Sequence, residues 1–267
     1  MNRVFDRTFL QYQLASLRHN KYKKNVFFPN ILLLLAAVFF FDRPIFATGF
    51  IALAAGVIAY GHFRFKKEAN ASEEKFDLFL EKRFREYDKQ MKKKKDTSFI
   101  VQRYAIGTEI GKVEVDEAIE KITQAMKEDP QSKRYIYNFL LSLYILKYGE
   151  DTKKIPGEYI EYLDKVYKTE QNINILTEAI KNAIWLKDYG KAIKLSEKAE
   201  NELKSIKKIR NPAFNAIYRT TIISVPYYKG VAHKNTNNGK KARESFDNAL
   251  KHCKADKLKM KILEIKN

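Results

Sequence analysis

The chain has 267 residues, a formal charge of +19 at pH 7 and a 45% share of hydrophobic residues. Its single cysteine, Cys253, excludes an internal disulfide and fits a reducing compartment. The basic balance narrows the outside partners to anionic lipid or nucleic acid.

The first 25 residues carry six Lys and Arg against Asp6 alone. Residues 3–20 predict a short helix with an untidy apolar face of Phe5, Phe9, Tyr12 and Leu17, read as a segment lying at a membrane interface. Two apolar runs follow, at 26–41 and 45–63, broken by Asp42-Arg43-Pro44. At 1.5 Å per residue they cover roughly 24 and 28 Å, against about 30 Å of hydrocarbon. They predict a transmembrane hairpin over 26–63. Asp42 and Arg43 each cost about 2.5–3.5 kcal/mol at a bilayer centre, which puts the turn at an interface.

Arg18, Lys21, Lys23 and Lys24 precede the hairpin, and Arg64, Lys66 and Lys67 follow it. The positive-inside rule then places both termini and the main body in the cytoplasm, beneath a cell membrane. A secretory signal peptide is disfavoured: the apolar run begins late, no small-residue cleavage site follows, and a second span comes at once. Gly49, Ala52, Gly56 and Ala59 form a small-residue stripe on the second span, expected to pack on the first, with homo-oligomerisation as the alternative.

Residues 64–96 predict a basic juxtamembrane amphipathic helix. Phe76, Phe79, Leu80, Phe84, Tyr87 and Met91 recur at helical spacing, Ser72 offers a cap, and Lys92 to Lys95 close the segment. Anionic lipid contacts are expected at Lys23, Lys24, Arg64, Lys66, Lys67, Lys92, Lys93, Lys94 and Lys95, at about 1 kcal/mol per charge near the surface. Residues 96–114 carry Gly107 and Gly111 and read as an irregular linker or an imperfect first repeat helix. From 115 onward the pattern is helical, with no alternating apolar run of useful length.

Three later segments resemble one another: Asp116–Pro130, Asp188–Ala199 and Gly230–Leu250. Ala118 and Ala125, Ala192 and Ala199, and Ala242 and Ala249 recur at seven-residue spacing. Gly230 and Phe246 add a small residue and an aromatic, and Pro130 adds a stop. These segments resemble the tetratricopeptide repeat, a helix–turn–helix unit whose small residues let two helices approach closely. Ile122 and Ser196 stand where that pattern has an aromatic, and 155–169 lacks its alanine.

The fold expected is all-α: the hairpin, the juxtamembrane helix and, as the resemblance implies, over 97–267 a solenoid of three or four helical pairs with a final helix near 255–265. It implies a concave groove for a protein or peptide, lined by Arg134, Tyr137, Leu141, Tyr144 and Ile145, then Asn174, Thr177, Lys181, Ile184 and Trp185, then Tyr227 and Lys234. Aromatic residues with Lys and Arg suit an acidic or carboxylate-bearing ligand.

No catalytic motif, phosphate loop or metal-ligand spacing is found, so neither an enzyme nor a cofactor is expected. The function expected is a membrane-anchored cytoplasmic scaffold or adaptor. The alternatives are a membrane-tethered nucleic-acid-binding module and an assembly component of a secretion or envelope complex. The lysine bias reads as bacterial coding sequence.

Overall fold

The computed structural model describes residues 3–41, 43–93, 96–149, 151–169, 172–206 and 212–267. Every regular element among them is helical: α1 (Arg3–Phe39), α2 (Pro44–Ala69), α3 (Glu73–Lys93), α4 (Thr97–Glu109), α5 (Val115–Glu128), α6 (Lys133–Tyr148), α7 (Gly157–Thr169), α8 (Ile173–Trp185), α9 (Tyr189–Ile206), α10 (Pro212–Asn235), α11 (Gly239–His252) and α12 (Asp256–Lys266). They divide into two compact units. One takes both ends of the chain, 1–71 and 200–267, and the other is 72–199.

In the first unit, residues 3–20 are not a separate interfacial segment. They are the opening half of α1, which is helical for 37 residues and passes through Pro29. At 1.5 Å per residue α1 is about 56 Å long, nearly twice the roughly 30 Å hydrocarbon layer. Its two halves have opposite surroundings. Phe9, Tyr12, Ala15, Ser16 and His19 are buried, whereas Phe27, Phe28, Leu32, Leu35, Val38 and Phe39 are exposed.

The buried half of α1 lies against three other helices. Phe9 meets Tyr227 and Tyr228 of α10, with ring centroids 5.5 and 6.1 Å away. Tyr12 and His19 meet Phe65 of α2 at 5.7 and 5.4 Å. Gln11 accepts a hydrogen bond from Lys257 Nζ of α12 at 3.0 Å. The helices α1 and α2 run in opposite directions. His19 faces His62 at 5.2 Å, and Phe40 at the far end of α1 faces Phe46 and Phe50 at 6.1 and 5.8 Å.

In the second unit, α3 to α8 enclose a core that includes Val101, Tyr104, Ile122, Ile136, Leu140, Leu163 and Ala179. Residues 97–109, left open between linker and helix by the sequence, are helical, and Asp96 caps them by accepting from the Ser98 N–H at 2.8 Å. Gly107 does not break the helix. A Cβ there would stand 2.8 Å from the Phe84 ring of α3, so the glycine marks a close approach.

Three of the helix–turn–helix connections share one local structure. A left-handed residue stands after the first helix at Gly111 (φ 70°), Lys187 (φ 60°) and Asn237 (φ 58°). The next N–H bonds back five residues: Lys112 to Gly107 O at 2.8 Å, Asp188 to Ala183 O at 2.8 Å, and Asn238 to His233 O at 2.9 Å. This is the Schellman arrangement, which satisfies carbonyls left over at a helix end. The second helices, α5, α9 and α11, then bury matching triplets: Ala118, Ile122 and Ala125; Ala192, Ser196 and Ala199; Ala242, Phe246 and Ala249. The nearest atoms to a Cβ added at Gly230 belong to Phe246, at 2.8 Å, so the aromatic ring fills the space left by the glycine. The last helix, expected near 255–265, is α12.

Candidate membrane interface and groove

Helices α1, from Arg7, and α2 are the two helices among the described residues that are long and apolar enough to cross a membrane. Their apolar halves are bare on nearly every side: Phe39 is 88% exposed, Phe41 82% and Ile45 84%. A patch of this size goes far beyond the few hundred Å² that soluble monomers tolerate. Thr48, one of the few polar groups here, donates its hydroxyl proton to its own helix, with Pro44 O at 2.7 Å and Ile45 O at 3.0 Å.

The face that α2 turns to α1 is not the small-residue stripe expected from sequence. Ala47, Ala54, Gly61, Phe65 and Ala69 are buried. Ala52 and Ala59 are exposed, and a Cβ at Gly49 or Gly56 would meet nothing within 4 Å. The close approach is at Gly61, where the Tyr22 ring lies over the glycine and its hydroxyl donates to Val57 O at 2.8 Å.

At the end of the apolar band, Lys23, Lys24, Arg64, Lys66 and Lys67 are all exposed. Glu68 draws two guanidinium groups together, Arg64 at 2.9 Å and Arg18 at 3.5 Å. Lys92 and Lys93 are exposed at the end of α3, and Lys92 pairs with Asp88 at 3.4 Å. Lys94 and Lys95 lie outside the described residues, as does Asp42.

The expected groove residues separate into several environments. Tyr137 is 4% exposed, with Tyr159 and Tyr162 edge-on at 4.8 and 4.7 Å, so it is core. Leu141 and Ile184 are core as well. Tyr227 is wholly buried between Phe9 and Phe246. Lys234 is exposed but committed: its Nζ donates to Ile265 O at 2.6 Å, at the carboxyl end of α12. The side chains of Arg134 and Asn174 lie outside the described residues.

What remains half-exposed in the second unit is Tyr144, Ile145, Thr177, Lys181 and Trp185. Thr177 donates to Ile173 O at 2.8 Å, within its own helix. The Lys181 ammonium stands 4.5 Å from the Trp185 ring centroid and 3.3 Å from Glu178. Tyr144 stacks on Tyr159 at 5.3 Å. Burial first, and then Tyr144 beside it, pushes the Tyr159 phenol above its ordinary range, so it stays protonated.

Beside these residues runs a polar chain that sequence reasoning missed. Asn138 Nδ2 donates to Glu178 at 3.2 Å, and Asn182 Nδ2 donates to Asn138 Oδ1 at 2.9 Å and to the Tyr167 hydroxyl at 2.8 Å. The available signal was two polar residues four apart in α8, Glu178 and Asn182, beside the apolar Ala179, Ile180 and Ala183. Thr177, Glu178, Lys181 and Trp185 follow one another at spacings of one, three and four along α8, which places them on one stripe of the helix.

No protein-family model, no curated protein and no solved structure matches this chain.

Proposed function

We propose that this protein is a membrane-anchored scaffold. The apolar stretches 26–41 and 45–63 cross the bilayer as a hairpin, and both termini lie on the cytoplasmic side with the remaining helices. One observation carries this reading: the apolar halves of α1 and α2 are exposed on every side but the one they turn to each other, while the opposite halves of the same helices are packed in protein. A soluble protein would cover such a surface, and lipid covers it without further protein. The basic flanks set the orientation.

The repeated turn and the matching buried triplets of α5, α9 and α11 support a solenoid of tetratricopeptide-like pairs. On that reading, the half-exposed Tyr144, Lys181 and Trp185 receive an extended segment of an acidic protein partner. Trp185 and Tyr144 supply apolar area, and Lys181 supplies charge.

Protease protection tests the anchoring. Protease added to intact cells should leave residues 64–267 whole, and opening the cells should remove them. Cleavage of that body from outside would overturn the topology.

A further inference from the structure

The Glu68 carboxylate joins two arginines from two helices. Arg64 Nε lies 2.9 Å from its Oε1, and Arg18 Nη1 lies 3.5 Å from its Oε2. One oxygen for each holds the two guanidinium groups side by side. Both side chains stay open to the surroundings, 43% exposed for Arg18 and 46% for Arg64. A guanidinium carries more N–H donors than one carboxylate oxygen accepts. The pair flanks a shallow cleft between α1 and α2, lined also by His19, Tyr22 and Phe65. Its walls leave no room for a ligand inside, so a group held by the arginines lies across the mouth.

One turn beyond each arginine stands a tyrosine. Tyr22 comes four residues after Arg18, and Tyr60 comes four before Arg64. Their rings are 6.0 Å apart. Because α1 and α2 run in opposite directions, both steps lead the same way, toward the apolar band. Tyr60 and Phe63 are exposed, and Phe63 directly precedes Arg64. The arginine pair thus sits where exposed aromatic surface gives way to charge, the pattern of a bilayer boundary.

The charge there is unbalanced. Over 15–25 and 58–71, Glu68 is the one carboxylate against seven Lys and Arg. A single acid cannot offset both arginines, and a phosphate supplies anionic oxygens that match the guanidinium fork.

We propose that Arg18 and Arg64, positioned by Glu68, bind the phosphate of an anionic membrane lipid, whose acyl chains lie along Tyr60 and Phe63. A soluble phosphate would offer the same oxygens, but the aromatic surface beside the arginines selects the lipid. The proposal rests on the membrane-spanning reading of α1 and α2. It adds to the general attraction of a basic flank a defined site that exists only when the two helices pair.

The test uses the full chain in mild detergent, mixed with phosphatidylglycerol or phosphatidylcholine and read by native mass spectrometry. Wild type should retain phosphatidylglycerol in preference to phosphatidylcholine. The double variant Arg18→Gln, Arg64→Gln should lose that retention about tenfold or more, as the loss of charge-assisted contacts implies. Lys66→Gln, Lys67→Gln removes the same charge from the same flank and should keep most of it. Should the double variant melt early, Arg64→Lys against Arg64→Gln repeats the comparison with one small change: lysine should keep binding and glutamine weaken it. Equal losses from the arginine and lysine pairs would overturn the site, and so would equal retention of the two lipids. Displacement by millimolar inorganic phosphate would overturn the choice of lipid in favour of a soluble anion. Extraction of the protein from membranes by alkaline carbonate would show instead that the spanning reading had failed.

Discussion

The side-chain oxygen of Asn70 accepts a hydrogen bond from the backbone N–H of Lys257 at 3.1 Å, across 187 positions of sequence. Asn70 ends α2 and Lys257 opens α12. The residue that should cap α12 is Ala255, which has no acceptor, so the cap is supplied by another helix. Around it, Gln11 Nε2 donates to Glu68 O and Ala71 O at 2.9 and 3.0 Å, and Lys257 Nζ returns to Gln11 Oε1 at 3.0 Å. One polar knot thus joins α1, α2 and α12. Asn70→Ala should destabilise the full chain by about 1 kcal/mol, the usual worth of a cap, and Asn70→Asp should keep most of it. Thermal melts in detergent measure both, and an unchanged melt for the alanine variant would remove the cap from the account.

Gly230 of α10 lies against the Phe246 ring of α11, with no room for a side chain between them. Gly230→Leu should cost about 1–3 kcal/mol, as overpacking usually does. Lys241→Leu, on the exposed side of α11, should stay within about 0.5 kcal/mol. Equal melting temperatures for the two variants would mean that α10 and α11 do not approach as described.

Gly61 and Gly49 offer a paired test along α2. A Cβ at Gly61 would stand 2.5 and 2.9 Å from Tyr22 ring carbons, whereas one at Gly49 would meet nothing within 4 Å. Gly61→Ala should therefore destabilise the α1–α2 pairing and Gly49→Ala should not. Thermal melts of the full chain in detergent would read the pairing, with a lower melting temperature expected for Gly61→Ala alone.

Cys253 is buried, with its thiol directed at Ala255 O, 3.5 Å away. Burial pushes its pKa above the ordinary thiol value, so the thiolate is scarcer at any given pH than in the unfolded chain. Because the folded value is the raised one, ionising Cys253 opposes folding as the pH climbs past the unfolded pKa near 8.5. Iodoacetamide should label the native protein at pH 8 far more slowly than the heat-unfolded chain. Equal rates would mean that this turn is open.

Much of the helical plan was legible in the sequence because periodicity reports which face of a helix is apolar. It does not report what covers that face. Phe9 and Tyr12 gave an untidy stripe because three helices, not one surface, bury them. Gly107 left 96–114 open between linker and helix, since nothing local distinguishes a glycine that ends a helix from one that admits a ring such as Phe84. The stripe Gly49–Ala59 looked like packing on spacing alone, yet α2 turns Ala54 and Gly61 inward. Tyr227 and Lys234 were placed in a groove by resemblance. The structure puts Tyr227 in the core, because α1 supplies Phe9 beside it, and ties Lys234 to α12.

The first unit is built from both ends of the chain, and this sets an order of events during synthesis. Phe9 and Gln11 are made well over 200 residues before their partners Tyr227, Tyr228 and Lys257 in α10 and α12. At about 5–20 residues per second, roughly ten to fifty seconds pass between them. For that interval α2 alone can cover the opening half of α1, and Phe9, which α10 buries, stays bare. Helix α12 thus completes the seat of α1, and truncation before α12 should leave an open, aggregation-prone α1 rather than a slightly shorter molecule.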